Sequence, residues 1–152
     1  MSNLNNKVIL TVAPTGNVPT RQMTPYAPMT PREIAAEAYA CWKEGAAIVH
    51  LHTRDKDGLP TSDVEVNREV MKELDKYPDC DIIRQVSTGG RAGKNYTERG
   101  QMLCLGPEMA SLATGSSNFP SKGNYNDPET ISYLAAEMLK YNVKPEIEVF
   151  DT

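Results

Sequence analysis

His50 and His52 stand two residues apart and are the only histidines in the chain. The apolar run before them, Ala46-Ala47-Ile48-Val49, reads as a buried strand, and Thr53-Arg54-Asp55 follows at its mouth. Along a strand, side chains at i and i+2 share one face. Two neutral imidazoles presented side by side are suitable donors for Zn2+ or a similar divalent ion. A catalytic zinc takes three protein ligands and keeps an open position, so two histidines are not a complete site. Glu148 is the best further candidate within the chain. It shares a strand face with Glu146, and either carboxylate could instead be an acid, a base or an orienting group. The plainer alternatives are a packed or solvent-facing histidine pair, and strand-end glutamates balanced by Lys or Arg.

Other polar groups gather where apolar runs stop: Pro14-Thr15-Gly16, Ser87-Thr88-Gly89-Gly90, and Ser111 with Thr114-Gly115. The segment from Ser87 to Gly90, followed by Arg91 and Lys94, could offer backbone N–H groups and positive charge to an anion. A glycine pair after a strand is more often only a turn. Arg54-Asp55 is either a functional pair or a salt bridge that orients its loop, and Lys56-Asp57-Gly58 reads as a plain turn.

Elements that could position these groups alternate along the chain. Residues 8–13 read as a buried strand, followed by a polar, Pro-rich loop over 17–29. Thr30-Pro31-Arg32-Glu33 is a capping box with proline at the first helical position. That helix continues through Ile34, Ala35, Ala38 and Cys41 to a stop at Gly45. Strand 46–52 follows, then a helix over 62–77 with Val66, Val70, Met71 and Leu74 on one face. Strand 82–87, a short helix over about 97–105 and strand 109–114 come next. Asp127-Pro128-Glu129 caps a helix carrying Ile131, Leu134, Ala135, Met138 and Leu139, and the last strand spans 145–150. The order βαβαβαβαβ predicts one domain over 1–152 with parallel strands and helical crossovers. Ile9, Val49, Ile83 and Leu112 are assigned to its inner face. The loops at 17–29 and 115–126 follow strands, the side on which α/β folds build sites.

With 39% hydrophobic and 24% charged residues, the composition is that of a globular protein. A net charge of -4 gives no basic footprint for nucleic acid or for a membrane surface. There is no apolar run of about 20 residues and no signal-peptide pattern at the start. Cys41, Cys80 and Cys104 form no CxxC pattern and read as reduced, mostly buried residues of a cytoplasmic protein.

Four stretches carry a resemblance, in order and at matching spacing. They are Val49-His50-Leu51-His52-Thr53-Arg54-Asp55 with Asp57-Gly58-Leu59-Pro60, Gln85-Val86-Ser87-Thr88-Gly89-Gly90, Pro107-Glu108-Met109-Ala110-Ser111-Leu112, and Asn142-Val143-Lys144-Pro145-Glu146-Ile147-Glu148. The chain resembles the β-keto acid cleavage enzymes, whose founding member is the 3-keto-5-aminohexanoate cleavage enzyme of lysine fermentation. The resemblance runs nearly end to end and implies a (β/α)8 TIM barrel, of which this chain covers about the first five strands and four helices. It also implies a zinc ion, acetyl-CoA as co-substrate, and conversion of a β-keto acid to acetoacetate and a new acyl-CoA, in a homo-oligomer. By position, His50 and His52 match zinc ligands, Ser87 and Ser111 match substrate-binding hydroxyls, and Glu148 matches an active-site carboxylate. Threonine stands in the founding member where this chain has Ser111.

Two departures bear on function. The family's third metal ligand, a glutamate, and its proton-transfer arginine and aspartate belong to the second half of the barrel and are expected outside this chain. Residues 1–152 alone are accordingly expected to be inactive. The founding member's acidic residue that meets the substrate's amino group aligns with about Val18, which implies a substrate without a positive charge. The other readings are a non-catalytic half-barrel and a metal-dependent hydrolase of barrel fold. Hydrolases of that kind usually carry HxH at the end of the first strand, whereas here it follows the second.

Overall fold

A computed structural model of the chain describes residues 7–90, 94–119 and 122–150. Its elements, in chain order, are β1 (Thr11–Val12), α1 (Pro31–Lys43), β2 (Ile48–Leu51), β3 (Thr53–Arg54), β4 (Pro60–Thr61) and α2 (Val64–Leu74). There follow β5 (Ile83–Val86), α3 (Tyr96–Gly100) running into a 3-10 turn (Gln101–Leu105), β6 (Met109–Ala113), α4 (Pro128–Lys140) and β7 (Lys144–Glu148).

The helices begin where the local chemistry dictates. Thr30 and Glu33 form the reciprocal capping box of α1, with Pro31 in its first turn. Asp63 caps α2, Asn95 and Glu98 box α3, and Asp127 caps α4 ahead of Pro128. The second helix is shorter than the 62–77 predicted from periodicity, because Asp63 accepts from the backbone of Glu65 and Val66 and so fixes its start.

β1, β2, β5, β6 and β7 pair in parallel, in the order of the chain. Because β-strand crossovers are right-handed, a sheet that adds each strand beside the last keeps all its helices on one face. That is the arc of a (β/α)8 barrel, with five strands and four helices as expected. Two clusters fill the space between sheet and helices. Ile34, Ala35 and Ala38 of α1 and Val70 and Leu74 of α2 pack on Val49 and Leu51. Leu134 and Met138 of α4 pack with Met102 and Leu103 on Val86, Ala110 and Leu112. Each fully buried Val, Leu, Ile or Met side chain among them is worth roughly 1.5–3 kcal/mol.

Three expectations are corrected here. Val49 and Leu112 belong to the helix-side clusters, so the opposite set of each strand, including His50 and Ser111, faces inward. The segment 8–13 is a strand only over Thr11–Val12, and it is not buried: Ile9 is 72% exposed, as this strand lies at the edge of the sheet. Among the cysteines, Cys41 and Cys80 are half-buried and Cys104 is exposed at the 3-10 turn. The sequence also concealed a small antiparallel hairpin, β3 with β4, folded around Gly58 at a positive φ of 78°.

Candidate active site

Alternation along the strands brings His50 and His52, Gln85 and Ser87, Ser111, and Glu146 and Glu148 onto the inner side of the arc. A cavity of about 350 Å3 opens at the C-terminal strand ends. His50, His52, Ser87, Ser111 and Glu148 all line it. Asn17, Val18 and Pro19 from the loop after β1 and Phe119 and Asn124 from the loop after β6 also contribute to its wall.

The imidazoles of His50 and His52 lie with ring centroids 4.7 Å apart, tilted by 56°. Burial, then the neighbouring His50, Arg54 and Lys94, push His52 down to about 3, so its ring is neutral over the physiological range. His50 Nδ1 lies 2.9 Å from Gln85 Oε1. Glu148 is half-buried, and its carboxyl is raised above the usual range by that burial and by Glu146, against the lowering pull of His50 and Arg99. Two imidazoles beside a carboxylate form a donor set chemically suited to zinc. Among the described residues, no group of three His, Cys, Asp or Glu side chains is placed to hold a metal ion.

The two serines are partly engaged already. Ser87 Oγ accepts from the Gly89 N–H at 3.3 Å, and Ser111 Oγ accepts from the Thr88 N–H at 3.1 Å. Each hydroxyl proton remains available to a ligand oxygen. The Gly90 N–H donates to Asn124 Oδ1 at 3.2 Å, so the amides of Thr88, Gly89 and Gly90 are all satisfied within the protein. That favours the turn over the anion cradle, the two alternatives the sequence left for 87–90. Arg91 lies outside the described residues, and Lys94 donates to Ser62 Oγ at 2.7 Å. Burial draws the Lys94 ammonium down to about 8.

Arg54 proves to be a loop clamp. Its Nη2 donates to the carbonyls of Gly16 (2.7 Å) and Pro19 (3.1 Å), and its Nη1 to Gly58 (3.1 Å). Asp55 instead accepts from the backbone of Asp57 and Leu59. Arg54 therefore ties the loop carrying Asn17 and Val18 to the strand that carries the histidines.

Sequence reasoning missed Arg99 and Gln85. Arg99 is 3% exposed and donates to Thr88 O (2.7 Å), Tyr125 O (3.0 Å) and Asn126 Oδ1 (2.5 Å). It thus joins the end of β5 to the loop after β6. A Cβ on Gly90 would stand 2.8 Å from Arg99 Nη1, which explains glycine at that position. Gln85, wholly buried, bridges from His50 to Glu146. Nothing in the local pattern marks either residue, since a lone Arg on a short helix and a Gln within a strand are common.

A parallel barrel arc with paired histidines, hydroxyls and a carboxylate at its C-terminal mouth defines a barrel of the enzyme type. The chain belongs to the beta-keto acid cleavage enzyme family, whose model matches residues 7–152. It is 46% identical over 143 residues to 3-oxoadipate:acetyl-CoA acetyltransferase of Cupriavidus necator, covering 94% of this chain and 50% of the relative. It is 43% identical over 147 residues to 3-keto-5-aminohexanoate cleavage enzyme of Fusobacterium nucleatum, covering 95% of this chain and 53% of the relative. The chain therefore spans about half the length of the curated relatives it matches. Among solved structures, the ternary complex of ObcA with C4-CoA adduct and oxalate superposes with a TM-score of 0.70 at 26% identity, over 84% of this chain and 32% of that one.

Proposed function

We propose that this chain forms the N-terminal half-site of a zinc-dependent enzyme that condenses a β-keto acid with acetyl-CoA. In that reaction the carboxymethyl part of the keto acid joins the acetyl group to give acetoacetate, and the remaining acyl group leaves on coenzyme A. The observation that carries this reading is the convergence of His50, His52, Ser87, Ser111 and Glu148 on one cavity in a chain of this family. A metal-dependent hydrolase has no comparable observation in its favour.

In this reading His50 and His52 supply two metal ligands, and a further ligand comes from outside the described residues. Zinc bound there would act as a Lewis acid on the keto oxygen. Glu148, with its raised proton affinity, takes the proton from the methylene between the two carbonyls. The hydroxyls of Ser87 and Ser111 donate to the substrate's carboxylate. Val18 and Phe119 give one wall of the cavity an apolar character, which fits a keto acid whose far end carries no positive charge. The three free cysteines suit a reducing, cytoplasmic setting.

The test uses the complete protein as it occurs in the cell. Purified protein should contain zinc, and acetoacetate should form only when both a β-keto acid and acetyl-CoA are present. His50→Ala should lower the zinc content sharply with the circular dichroism spectrum retained. Product formation without acetyl-CoA, or full activity after exhaustive chelation, would overturn the reading.

A further inference from the structure

Gln85 is 0% exposed, and its side chain joins groups from three strands of the arc. Its Cα is the register partner of His50 on the neighbouring strand. Its Oε1 lies 2.9 Å from His50 Nδ1, and its Nε2 donates to Glu146 Oε2 at 2.6 Å, reaching across β6 to β7. We propose that Glu146, acting through Gln85, holds His50 as the Nδ1–H tautomer and so turns an unprotonated Nε2 toward the cavity. The inference rests on the proposed ligand role of His50 for its consequence, whereas the tautomer stands on the hydrogen bonds alone.

A primary amide buried between two polar groups can take two orientations, related by exchange of its oxygen and its NH2. The partners decide between them here. A carboxylate accepts hydrogen bonds and does not donate. Gln85 must therefore turn its NH2 toward Glu146, which leaves the carbonyl oxygen facing His50. That oxygen can only accept, so the proton between it and His50 must sit on Nδ1. The reverse orientation would set the amide oxygen against the carboxylate at hydrogen-bonding distance, with no proton between them. Because Gln85 is sealed from solvent, no water can relieve that clash.

A neutral imidazole with hydrogen on Nδ1 has its lone pair on Nε2, the form a metal requires. The ring orientation is fixed by the same bond. Glu146 and Gln85 are therefore positioning residues for His50, whereas burial keeps His52 neutral. Glu146 also sits two residues from Glu148 and raises that carboxyl, so catalytic rate is an unsuitable readout for this role.

The test reads the tautomer directly, by long-range 1H–15N correlation of 15N-histidine in the complete protein, stripped of metal, at pH about 8. His50 in the wild type should show hydrogen on Nδ1. In Glu146→Gln the new amide can either donate or accept, the direction of the bridge is lost, and a mixture of tautomers should appear. The reciprocal double variant Gln85→Glu with Glu146→Gln restores an acceptor to His50 and a donor to that acceptor, and should recover the Nδ1–H form. Zinc affinity, measured by chelator competition, should fall roughly 10- to 100-fold in Glu146→Gln, as for lost orienting partners elsewhere. It should recover in the double variant. A purely packing role for Gln85 would predict no such recovery. Finding Nε2–H in the wild type, or an unchanged tautomer in Glu146→Gln, would overturn the proposal. The expected tautomers together with no zinc binding by the wild type would leave it standing and would instead refute the ligand role of His50.

Discussion

Arg99→Met is the most informative single substitution, because one buried side chain supports both the architecture of the cavity and the charge on Glu148. The guanidinium makes three hydrogen bonds, at 2.7, 3.0 and 2.5 Å, to Thr88 O, Tyr125 O and Asn126 Oδ1. Hydrogen bonds to charged groups contribute about 1.5–3 kcal/mol each. Methionine fills most of the space but leaves those acceptors unpaired, while the desolvation of a buried cation is relieved. The net loss should be about 2–5 kcal/mol, since the three neutral acceptors left unpaired cost about 1–3 kcal/mol each before the relieved desolvation is subtracted. The amides of Thr88 to Gly90 and of Asn124 to Asn126 should lose hydrogen-exchange protection first. Arg99 also lowers the Glu148 carboxyl, so its removal must raise that group further. If ionised Glu148 is the base, the acid limb of the kcat/KM profile moves to higher pH. Arg99→Lys keeps a positive charge but cannot reproduce the guanidinium fork. It should therefore lose stability with little movement of the acid limb. Denaturant titration, hydrogen exchange and pH–rate profiles of the complete protein measure each part. A loss below about 1 kcal/mol together with an unmoved acid limb in Arg99→Met would refute the reasoning.

Three further outcomes follow from single residues. Glu33 is lowered from 4.5 to about 2 by the backbone N–H groups of Thr30 and Met29 and by Arg21. Its stabilisation is thus complete above pH 4.5 and fades as pH falls toward 2. Solvent screening at this half-exposed site limits it to about 1 kcal/mol, and acid denaturation of Glu33→Gln should lack that component. His52 is lowered from 6.5 to about 3, so the metal-free protein should lose stability as pH falls from 6.5 toward 3, where only the unfolded state takes up the proton. His52→Asn should flatten the stability profile over that interval. Val18 is 51% exposed at the cavity rim, and Val18→Glu should favour an aminated keto acid over an uncharged one. The change should be several-fold in relative kcat/KM, about 1 kcal/mol for a half-exposed ion pair, measured by competition between the two substrates.

The sequence revealed what is local or periodic, and much less of what joins distant segments. Helix starts were legible because a cap is made by residues within one turn, as with Thr30 and Glu33. The parallel arc was legible because strands and helices alternate. Which face of each strand points inward was not legible from apolar content. Strands of a barrel are buried on both sides, so Val49 and Leu112 could be assigned to either. His50 and Ser111 held the missing information, since polar side chains that gather at strand ends must share the inner face, and their neighbours then face the helices. Gln85 and Arg99 lay beyond this kind of inference. Their partners are 61 residues away for Gln85 and Glu146, and 27 for Arg99 and Asn126.

Position along β7 also separates Glu146 from Glu148, the carboxylate favoured from the sequence. Glu146 and Glu148 are two apart on β7 and both face inward. Glu146 is the deeper of the two, engaged by Gln85, while Glu148 lies one layer nearer the mouth and lines the cavity. Depth along one strand therefore divides their roles. A carboxylate already accepting a 2.6 Å bond from a buried amide is held by that partner. In the proposed reaction the carboxylate above it, with its proton affinity raised by burial and by its neighbour, is the one that exchanges a proton with a ligand in the cavity.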